Sequence, residues 1–350
     1  MNYIGSKQSL LNFIVDSITS VVGNDTDKTF VDLFAGTGAV SKKFRELGYR
    51  VISNDIQYYS FVLLKHYIEN DSSVNLNDYS YLNFAIELPA SLQKYSFIYN
   101  NYCMGSGSNR NYFSDYNGKK CDAIRYEIEN LHNQITEKQH YGLLASLLES
   151  VDKCANTASV YAAFLKKIKK SAQKEFQFKV LPIVNGPVGT VYNMDANDLI
   201  KEISGDILYL DPPYNERQYC AYYHILETIA RMDFPEIKGK TGVRDYSDQK
   251  STWCSKKTAV KSLEDLIKNA NFKYIFLSYN NEGLISPEEI KNIFSEYGEY
   301  KLFTKEYKRF KADKSENRNH KADVTTEYLH CLIKNKNNSQ NEGEINGCRI

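Results

Sequence analysis

The chain has 350 residues, a net charge of +1 and 42% hydrophobic residues, enough for the core of one large domain or two ordinary ones. Its 7 cysteines form no C-x-x-C pair, which argues against a zinc site or a disulfide framework and for a reducing compartment. We see no signal peptide and no apolar run of the ~20 residues that a membrane span needs. We therefore expect a cytoplasmic protein without a metal site or a membrane association.

The first predicted elements are those that open a doubly wound α/β sheet. Residues 7–22 have apolar spacing close to the helical period. Residues 28–34 (KTFVDLF) are predicted to form a strand, which runs into the glycine loop AGTG and a helix. Residues 48–55 (GYRVISND) are predicted to form a second strand that ends on Asp55. This order of strand, glycine loop, helix and strand favours a Rossmann-like sheet.

The alternation of strands and helices stops after residue 57. The next part of the chain contains an irregular Gly/Ser/Asn segment and stretches that we predict to be helical, at 60–70, 128–151 and 159–172. Insertions on the loop side of such a sheet usually carry substrate specificity. We therefore interpret residues 58–187 as a mostly helical, inserted target-recognition domain.

Strand patterns return in the last part of the chain. We predict strands at 190–195, 206–211 and 274–280 and a long antiparallel hairpin formed by two runs, 300–310 and 325–334. The polar end of the chain is predicted to be disordered. We thus expect a discontinuous catalytic domain, residues 1–57 and 188–335, followed by a disordered tail, residues 336–350.

The glycine loop of residues 34–38 has the context of a nucleotide-binding loop, because it follows a strand and precedes a helix. A dinucleotide site would have a third glycine where this chain has Ser41, and the acid Asp32 precedes the loop. The pattern D-x-F-x-G-x-G is closer to a loop that binds S-adenosylmethionine (SAM), although a plain tight turn is the structural alternative. The candidate cofactor residues here are Asp32, before the loop, and Phe34, Ala35, Gly36 and Gly38 within it.

Two further acids are candidates for the same pocket. Asp55 ends the second strand, where a carboxylate can accept hydrogen bonds from both hydroxyls of a ribose. Asp195 could accept a hydrogen bond from the adenine amino group of SAM. For Asp195 alone, however, the N-cap of the following helix is the favoured interpretation.

The segment DILYLDPPYNERQY ends a buried strand with a carboxylate, two prolines and an aromatic ring. The nitrogen of an exocyclic base amine is a poor nucleophile, since its lone pair is conjugated with the ring. Asp211 and the carbonyl of Pro212 could accept its two hydrogens and release the lone pair, while the ring of Tyr214 stacks on the base. Catalysis by positioning would then suffice. The alternative is a Pro-Pro turn in which Tyr214 only packs.

At these residues the chain resembles the Dam-like, alpha-group adenine-N6 DNA methyltransferases, in particular the modification enzymes of restriction systems. The matching stretches are NYIGSK (2–7), DLFAGTG (32–38), DPPYNERQYCAYYHILET (211–228) and FLSYNNEG (276–283). The resemblance covers about residues 1–60 and 188–333. It implies a SAM-dependent methyltransferase sheet, cofactor contacts from Tyr3, Lys7 and Asp211, and methylation of adenine N6 in double-stranded DNA. It also implies a cognate restriction endonuclease that acts separately, and a monomer or weak dimer.

A base inside a duplex must be flipped out to reach such a pocket, and phosphate contacts would help to offset the lost stacking. Lysines 166, 167, 169 and 170 are predicted to share one helix, and the basic run 301–321 has eight Lys/Arg against three Asp/Glu. For these groups, a solvated surface is the alternative, and we expect His224 to be a helix-packing residue. The candidate DNA contacts are Arg217, Gln218, Tyr219, Asn109, Arg110, Lys308, Arg309 and Arg318.

Two other functions stay open from the sequence alone. A Pro-Pro-aromatic motif also serves the methylation of other conjugated amines, so RNA or a protein amide could be the substrate. A DNA-binding protein that keeps the fold without catalysis is the second alternative. The intact Lys7, Asp55 and DPPY motif argue against the loss of activity.

Overall fold

The computed structural model describes residues 4–308 and 324–335. Several sequence predictions therefore lie outside the described residues, namely Tyr3, Arg309, Arg318 and the tail 336–350. Within the described ranges, none of the helices has the length and apolar character that crossing a membrane requires.

The predicted strands are present, with small shifts at their ends. The strands are β1 (Thr29–Asp32), β2 (Arg50–Asn54), β3 (Thr190–Tyr192), β4 (Ser204–Leu210), β5 (Ile237–Lys238), β6 (Val243–Arg244), β7 (Asn271–Asn280), β8 (Gly298–Lys308) and β9 (Val324–Lys334). Seven of them form one sheet in the order β3-β2-β1-β4-β7-β9-β8. The pairs from β3 to β7 are parallel, whereas β9 is antiparallel to both β7 and β8. The expected Rossmann-like sheet with a C-terminal antiparallel hairpin is thus confirmed.

The sheet order has a consequence for the position of the site. Strand β1 pairs with β2 on one side and with β4 on the other. Strands β2 and β3 therefore extend the sheet in one direction from β1, and β4 and the strands after it extend the sheet in the other. In open α/β sheets, ligands bind at such a switch point, beyond the carboxyl ends of the strands. The glycine loop after β1 and the DPPY motif after β4 both begin at this edge.

Helices cover both faces of the sheet. They are α1 (Leu11–Val22), α2 (Ala39–Glu46), α3 (Tyr58–Leu64), α4 (Phe97–Tyr102), α5 (Asp115–Asn130), α6 (Glu137–Asp152), α7 (Lys170–Gln173), α8 (Ala196–Leu199), α9 (Tyr219–Tyr222), α10 (His224–Arg231), α11 (Lys256–Asn269) and α12 (Pro287–Tyr297). A short π-helical segment, Lys65–Glu69, follows α3. Short 3₁₀ helices occur at Lys7–Leu10, Asn77–Phe84, Ala90–Tyr95, Met104–Ser106, Ser247–Gln249 and Thr252–Cys254.

The alternation of side chains along β4 separates two hydrophobic cores. Ile207 and Tyr209 face a core that also contains residues of α1, α2, α3, α5, α6 and α10. Leu208 and Leu210 face a core formed with α8, α11 and α12. Because a strand buried on both faces has no polar side, β4 is apolar at every position from 207 to 210.

The segment between β2 and β3 is mostly helical, as expected, and its helices pack into the first of these cores. The predicted helix 128–151 is interrupted, because Thr136 caps a new helix: its hydroxyl accepts a hydrogen bond from the Gln139 amide, and the Gln139 side chain bonds back. The division of the chain into a catalytic and a recognition domain stays a proposal.

The prediction of a helix over residues 159–172 is wrong, since only Lys170–Gln173 is helical there. The amide of Tyr161 donates to the carbonyl of Tyr222 at 2.7 Å, and the hydroxyl of Tyr112 donates to the Tyr161 carbonyl. These contacts with distant residues satisfy the backbone without a helix and override the local helical pattern. Lysines 166, 167 and 169 consequently do not share a helix.

Candidate active site

One cleft at the carboxyl ends of β1, β2 and β4 brings the two predicted motifs together. It encloses about 970 Å³ of empty space, including its open mouth. Twelve of the predicted site residues line it: Lys7, Asp32, Phe34, Ala35, Gly36, Asp55, Asp195, Asp211, Pro212, Tyr214, Gln218 and Tyr219. Gly38, Arg217, Asn109 and Arg110 are not among the residues that line it.

The glycine loop is held by the carboxylate of Asp55. The amide of Gly36 donates to Asp55 Oδ2 at 2.8 Å, and the amide of Gln57 donates to Oδ1 at 2.8 Å. Gly36 has a positive φ of 53°, a conformation in which glycine carries no steric cost. Asp55 thus shapes the loop from the next strand, and it still lines the cleft.

Gly38 ends the glycine loop and is not among the residues that line the cleft. Its φ is 77°, and a Cβ atom here would lie 2.9 Å from Leu64 Cδ2 and 3.6 Å from Tyr67 Cδ2. The 2.9 Å distance is inside van der Waals contact, so the Leu64 side chain would have to move to admit a side chain at position 38. Gly38 therefore sets the close packing that positions the loop.

Asp32 lies beneath the loop and is almost completely buried. Its Oδ2 accepts a hydrogen bond of 2.6 Å from the Ser41 hydroxyl, which in turn accepts one from Ser53. Its Oδ1 is buried without a partner among the described residues. Burial, with the nearby charges of Asp211 and Asp55, raises the pKa of Asp32 to about 7, and burial raises that of Asp55 to about 6.

Asp195 caps a helix, as the sequence favoured. It is the N-cap of α8, and its Oδ1 accepts a hydrogen bond of 2.8 Å from the amide of Asn197. The carboxylate nevertheless lines the cleft beside Met194. The cap and a contact with a ligand are compatible, because a carboxylate has more lone pairs than one amide can use.

The sequence analysis missed a wall of the cleft formed by residues 249–253. Trp253, the only tryptophan of the chain, packs edge-to-face on Phe34 with ring centroids 5.3 Å apart. Its indole nitrogen donates to Asn197 Oδ1 at 3.1 Å. Gln249 and Ser251 also line the cleft. The single tryptophan in a polar segment was the available signal, but nothing in its spacing connects it with the glycine loop.

On the opposite side of the cleft, Asp211 directly follows β4. Its Oδ1 lies 3.0 Å from the ammonium of Lys7, and that ammonium also lies 2.8 Å from Glu327 Oε1. Glu327 is on β9 and also accepts a hydrogen bond of 2.6 Å from Ser278. Burial raises the pKa of Asp211 to about 6, against the opposing effect of Lys7. Glu327 is a second residue that the sequence analysis missed.

Tyr214 is half-buried rather than fully exposed, and it lines the cleft beside Asp211. Its ring packs edge-to-face on Tyr279 with centroids 6.5 Å apart, and its carbonyl accepts a hydrogen bond from the Leu284 amide. The ammonium of Lys7 lies 5.9 Å from the ring centroid. The ring is thereby fixed in orientation, while Pro212 adds rigidity to the strand end.

The N-terminal segment closes this side of the cleft. Gly5 has a φ of +80°, and a Cβ atom there would lie 3.2 Å from Tyr219 Oη and 3.5 Å from Tyr214 Oη. The amide of Ile4 donates to the hydroxyl of Tyr223 at 2.8 Å. The segment before Lys7 thus packs directly on the residues that follow the DPPY motif.

The candidate DNA contacts next to the motif have protein partners. Arg217 Nη1 donates to Tyr222 Oη at 2.9 Å. The side-chain amide of Gln218 is paired at both ends with the backbone of Ser251, at 3.1 and 2.9 Å. These contacts join the loop after the motif to the wall of residues 249–253.

The candidates in the Gly/Ser segment lie away from the cleft lining. The guanidinium of Arg110 donates to the carbonyls of Asn101, Gly239 and Lys240, at distances from 3.1 to 3.2 Å. Asn109 has a positive φ of 58°. Lys308 ends β8.

His224 has the position of a packing residue. It is buried, and its Nε2 lies 3.1 Å from the carbonyl of Tyr161. Burial lowers the pKa of its imidazole to about 4.

Comparison with known proteins settles the family. The model of the family described as D12 class N6 adenine-specific DNA methyltransferase matches residues 3–293. The chain belongs to this family. The activity that the family resemblance implied, methylation of adenine N6 in DNA, is the activity by which this family is described. The chain is therefore an enzyme, an adenine-specific DNA methyltransferase.

Individual relatives agree with this assignment. Type II methyltransferase M.NlaIII of Neisseria lactamica is 54% identical over 338 residues, covering 95% of this chain and 99% of that protein. Type II methyltransferase M.CviAII of Paramecium bursaria Chlorella virus 1 is 35% identical, with 89% and 93% covered. M.FokI of Planomicrobium okeanokoites is 39% identical over 89% of this chain, which spans only 50% of that longer protein.

Proposed function

We propose that this methyltransferase uses SAM to methylate adenine N6 at a specific duplex DNA sequence, on an adenine that is flipped into the cleft. The observation that carries the proposal is the shared cleft: the glycine loop with Asp55 and the DPPY motif line the same cavity. A cofactor site and a catalytic motif must meet in this way, because direct transfer requires donor and acceptor within reach of each other.

The cofactor side of the cleft fits SAM by its chemistry. SAM carries a cationic sulfonium and an ammonium group, a ribose diol and an adenine ring, and when bound it supplies an activated methyl group. The buried, unpartnered Oδ1 of Asp32 offers an acceptor beneath the loop. Asp55 would accept from the ribose hydroxyls, Asp195 from the adenine amino group, and Phe34 would cover an aromatic ring. The residues present therefore suit this cofactor.

On the catalytic side, Asp211 and the carbonyl of Pro212 would accept the two hydrogens of the N6 amino group. Lys7 lies 3.0 Å from Oδ1 of Asp211, and in this proposal Oδ2 accepts the hydrogen bond from the substrate. Tyr214 would stack on the extruded base. The nitrogen becomes acidic once it is alkylated, so its proton can pass to solvent without a strong base.

Contacts with the DNA would come from several elements. We propose Arg217 and Tyr219 near the flipped base, Asn109 and Arg110 on the inserted segment, and Lys308, Arg309 and Arg318 of the basic run 301–321. Gln218 belongs to the same proposal, although its pairing with Ser251 favours a role in holding the loop. Phosphate contacts of basic side chains would offset the cost of base flipping, a few kcal/mol.

The names of the relatives suggest the biological setting. Several are Type II methyltransferases or modification methylases. We propose that this chain is the modification enzyme of a restriction-modification system, acts in the cytoplasm as a monomer or weak dimer, and has a separate cognate endonuclease. Residues 1–57 and 188–335 would form the catalytic domain, and residues 58–187 the target-recognition domain.

Product analysis tests the proposal directly. The protein is incubated with methyl-labelled SAM and duplex DNA, and the DNA is digested to nucleosides; we expect N6-methyldeoxyadenosine to carry the label. Competition with RNA of the same sequence should leave the rate unchanged. Label on cytosine, or transfer to RNA in preference to DNA, would refute the proposal. Single-molecule sequencing of DNA from expressing cells then gives the recognition sequence.

A further inference from the structure

The ammonium of Lys7 is shared between two carboxylates in the active site. Its Nζ lies 3.0 Å from Asp211 Oδ1 and 2.8 Å from Glu327 Oε1. The side chains of Lys7 and Asp211 are 7% and 17% exposed, whereas that of Glu327 is only 1% exposed. One cation and two anions thus form a mostly buried cluster in which Asp211 is the most exposed member and, with Lys7, lines the cleft.

Glu327 is fixed independently of Lys7. Strand β9 pairs with β7 so that Glu327 lies opposite Asn280, and the hydroxyl of Ser278 on β7 donates to Glu327 Oε1 at 2.6 Å. A carboxylate with two donors on one oxygen and a place in a paired strand is a rigid partner for the ammonium. The position of Lys7 is therefore set from the hairpin as well as from Asp211.

We propose that Glu327 is a positioning residue for Asp211 and acts through Lys7. It holds the ammonium to one side, so that Lys7 orients Asp211 by Oδ1 without neutralising it, and Asp211 remains a strong acceptor for the amino group of the target base. This inference rests on the proposed function, in which Asp211 accepts from that amino group.

The physical reason is the division of one positive charge. An ammonium paired with Asp211 alone would stabilise its negative charge more strongly and weaken it as a hydrogen-bond acceptor. The second carboxylate takes part of that interaction and adds a negative charge nearby. The charged groups that act on the pKa of Asp211 are Lys7 and Glu327, while Asp211 in turn raises the pKa of three other groups nearby, Tyr209 on β4, Tyr214 after it and Asp32 on β1. Among the described residues, the ammonium of Lys7 is paired with Glu327 and Asp211 and not with any of these three.

The variant Glu327→Gln tests the charge while keeping the shape. Gln can still accept from Lys7 and Ser278, so the fold should be retained, which thermal unfolding checks. The single-turnover rate is measured against pH at saturating SAM and DNA. We expect the acidic limb of this pH profile to move to a pH about one unit lower. The rate on the plateau should fall about threefold to tenfold, because Asp211 becomes a weaker acceptor.

Two further variants make the result specific. Glu306→Gln removes the same charge from an exposed position on β8 of the same hairpin and should leave the limb unchanged. Glu327→Asp keeps the charge but withdraws it by one methylene, so the limb should move in the same direction by less than half as much. It also serves as the test variant if Glu327→Gln does not fold.

A second measurement separates this inference from the proposed function. The titration of Asp211 is followed by carboxyl ¹³C NMR in the free protein and assigned with Asp211→Asn. We expect its midpoint to fall in Glu327→Gln and to stay at the wild-type value in Glu306→Gln. Unchanged midpoints and an unchanged limb would overturn the role of Glu327 even if the enzyme methylates adenine. A wild-type protein that does not methylate adenine would refute the proposed function, whereas the NMR titration would still decide the linkage between Glu327 and Asp211.

Discussion

The two sides of the cleft are built by different means. The cofactor side is centred on one βαβ unit, in which backbone amides of the glycine loop and of Gln57 bind the carboxylate of Asp55, and Asp195 and the wall of residues 249–253 complete it. The catalytic side is assembled from distant parts of the chain: Lys7, Asp211 and Glu327 meet through side-chain contacts alone. The centre of the first side is thus local in sequence, whereas the second side depends on the complete fold.

This difference predicts which step each side controls. Changes on the cofactor side should distort the loop and lower the affinity for SAM, with little effect on the rate once the site is filled. Changes on the catalytic side should alter the rate at saturation, because these residues contact the reacting amine or orient a residue that does.

The largest expected effect comes from Asp211→Asn. An amide keeps the shape but loses the charge that makes Asp211 a strong acceptor, so we expect the single-turnover rate to fall by about 10³-fold. Calorimetry should give a far smaller loss of SAM affinity. Asp27→Asn, at an exposed position outside the cleft, is the matched control. A rate within tenfold of wild type would remove Asp211 from the mechanism.

The corresponding variant on the cofactor side is Asp55→Asn. The new amide group would face one of two backbone amides that now donate to the carboxylate, and that donor would lose its partner at a cost of about 1–3 kcal/mol. We expect the dissociation constant of SAM to rise by about 10- to 100-fold, with a near-normal rate at saturation. If Asp55→Asn instead lowers the saturated rate as much as Asp211→Asn, the two sides do not have separate roles.

The same contrast explains what could be predicted from the sequence. Asp32, Gly36 and Asp55 belong to consecutive elements, so their spacing alone brought them to one strand edge. Glu327 has no such pattern around it: its place in the site follows from the pairing of β9 with β7, which the sequence does not specify residue by residue. Trp253 reaches Phe34 in the same indirect way.

The wrong prediction of a helix at 159–172 has a related cause. The apolar spacing there was helical, but the residues pack on α9 and α10 through single contacts such as that of Tyr161 with Tyr222. Local periodicity describes one face of an element, and it cannot report a segment whose backbone partners are supplied by other elements. The DPPY motif, by contrast, directly follows strand β4, at the strand end where the sequence predicted it.

A smaller effect concerns the acids that the two sides bring close together. The folded-state pKa of Asp32 is raised to about 7, above its value in the unfolded chain. The contribution of this carboxyl to stability is therefore complete below about pH 4 and is lost as the pH rises through about 7. The side chain in Asp32→Asn is neutral at every pH. Between pH 4 and pH 8, the free energy of unfolding should therefore fall by about 1–3 kcal/mol less in this variant than in the wild type.

Urea unfolding of wild type and Asp32→Asn at several pH values measures this slope, and Asp27→Asn provides the control. The absolute stability of the variant is not the readout, because the amide introduces donors of its own. Parallel curves for wild type and Asp32→Asn would show that the charge of Asp32 is relieved in the folded protein by a neighbour or by solvent.

The smallest effect uses a pair of glycines, one on each side of the cleft. Gly38 and Gly5 have φ values of +77° and +80°, so alanine at either position should cost about 1 kcal/mol in the backbone. The displaced atoms differ: alanine at position 38 would press on Leu64, and alanine at position 5 would press on the Tyr219 hydroxyl, next to that of Tyr214. We expect Gly38→Ala to weaken SAM binding about fivefold and Gly5→Ala to lower the saturated rate about fivefold.

Because the backbone cost is the same, thermal unfolding should place the two variants close together, and Gly23→Ala provides a reference. Gly23 also has a φ of +80°, but a Cβ atom there would meet nothing within 4 Å, so this variant should lose stability without losing affinity or rate. If Gly5→Ala lowers only the affinity for SAM, the N-terminal segment belongs to the cofactor side. The ring of Tyr214 would then not be held by that segment, and the boundary between the two sides would have to run between Lys7 and Asp211.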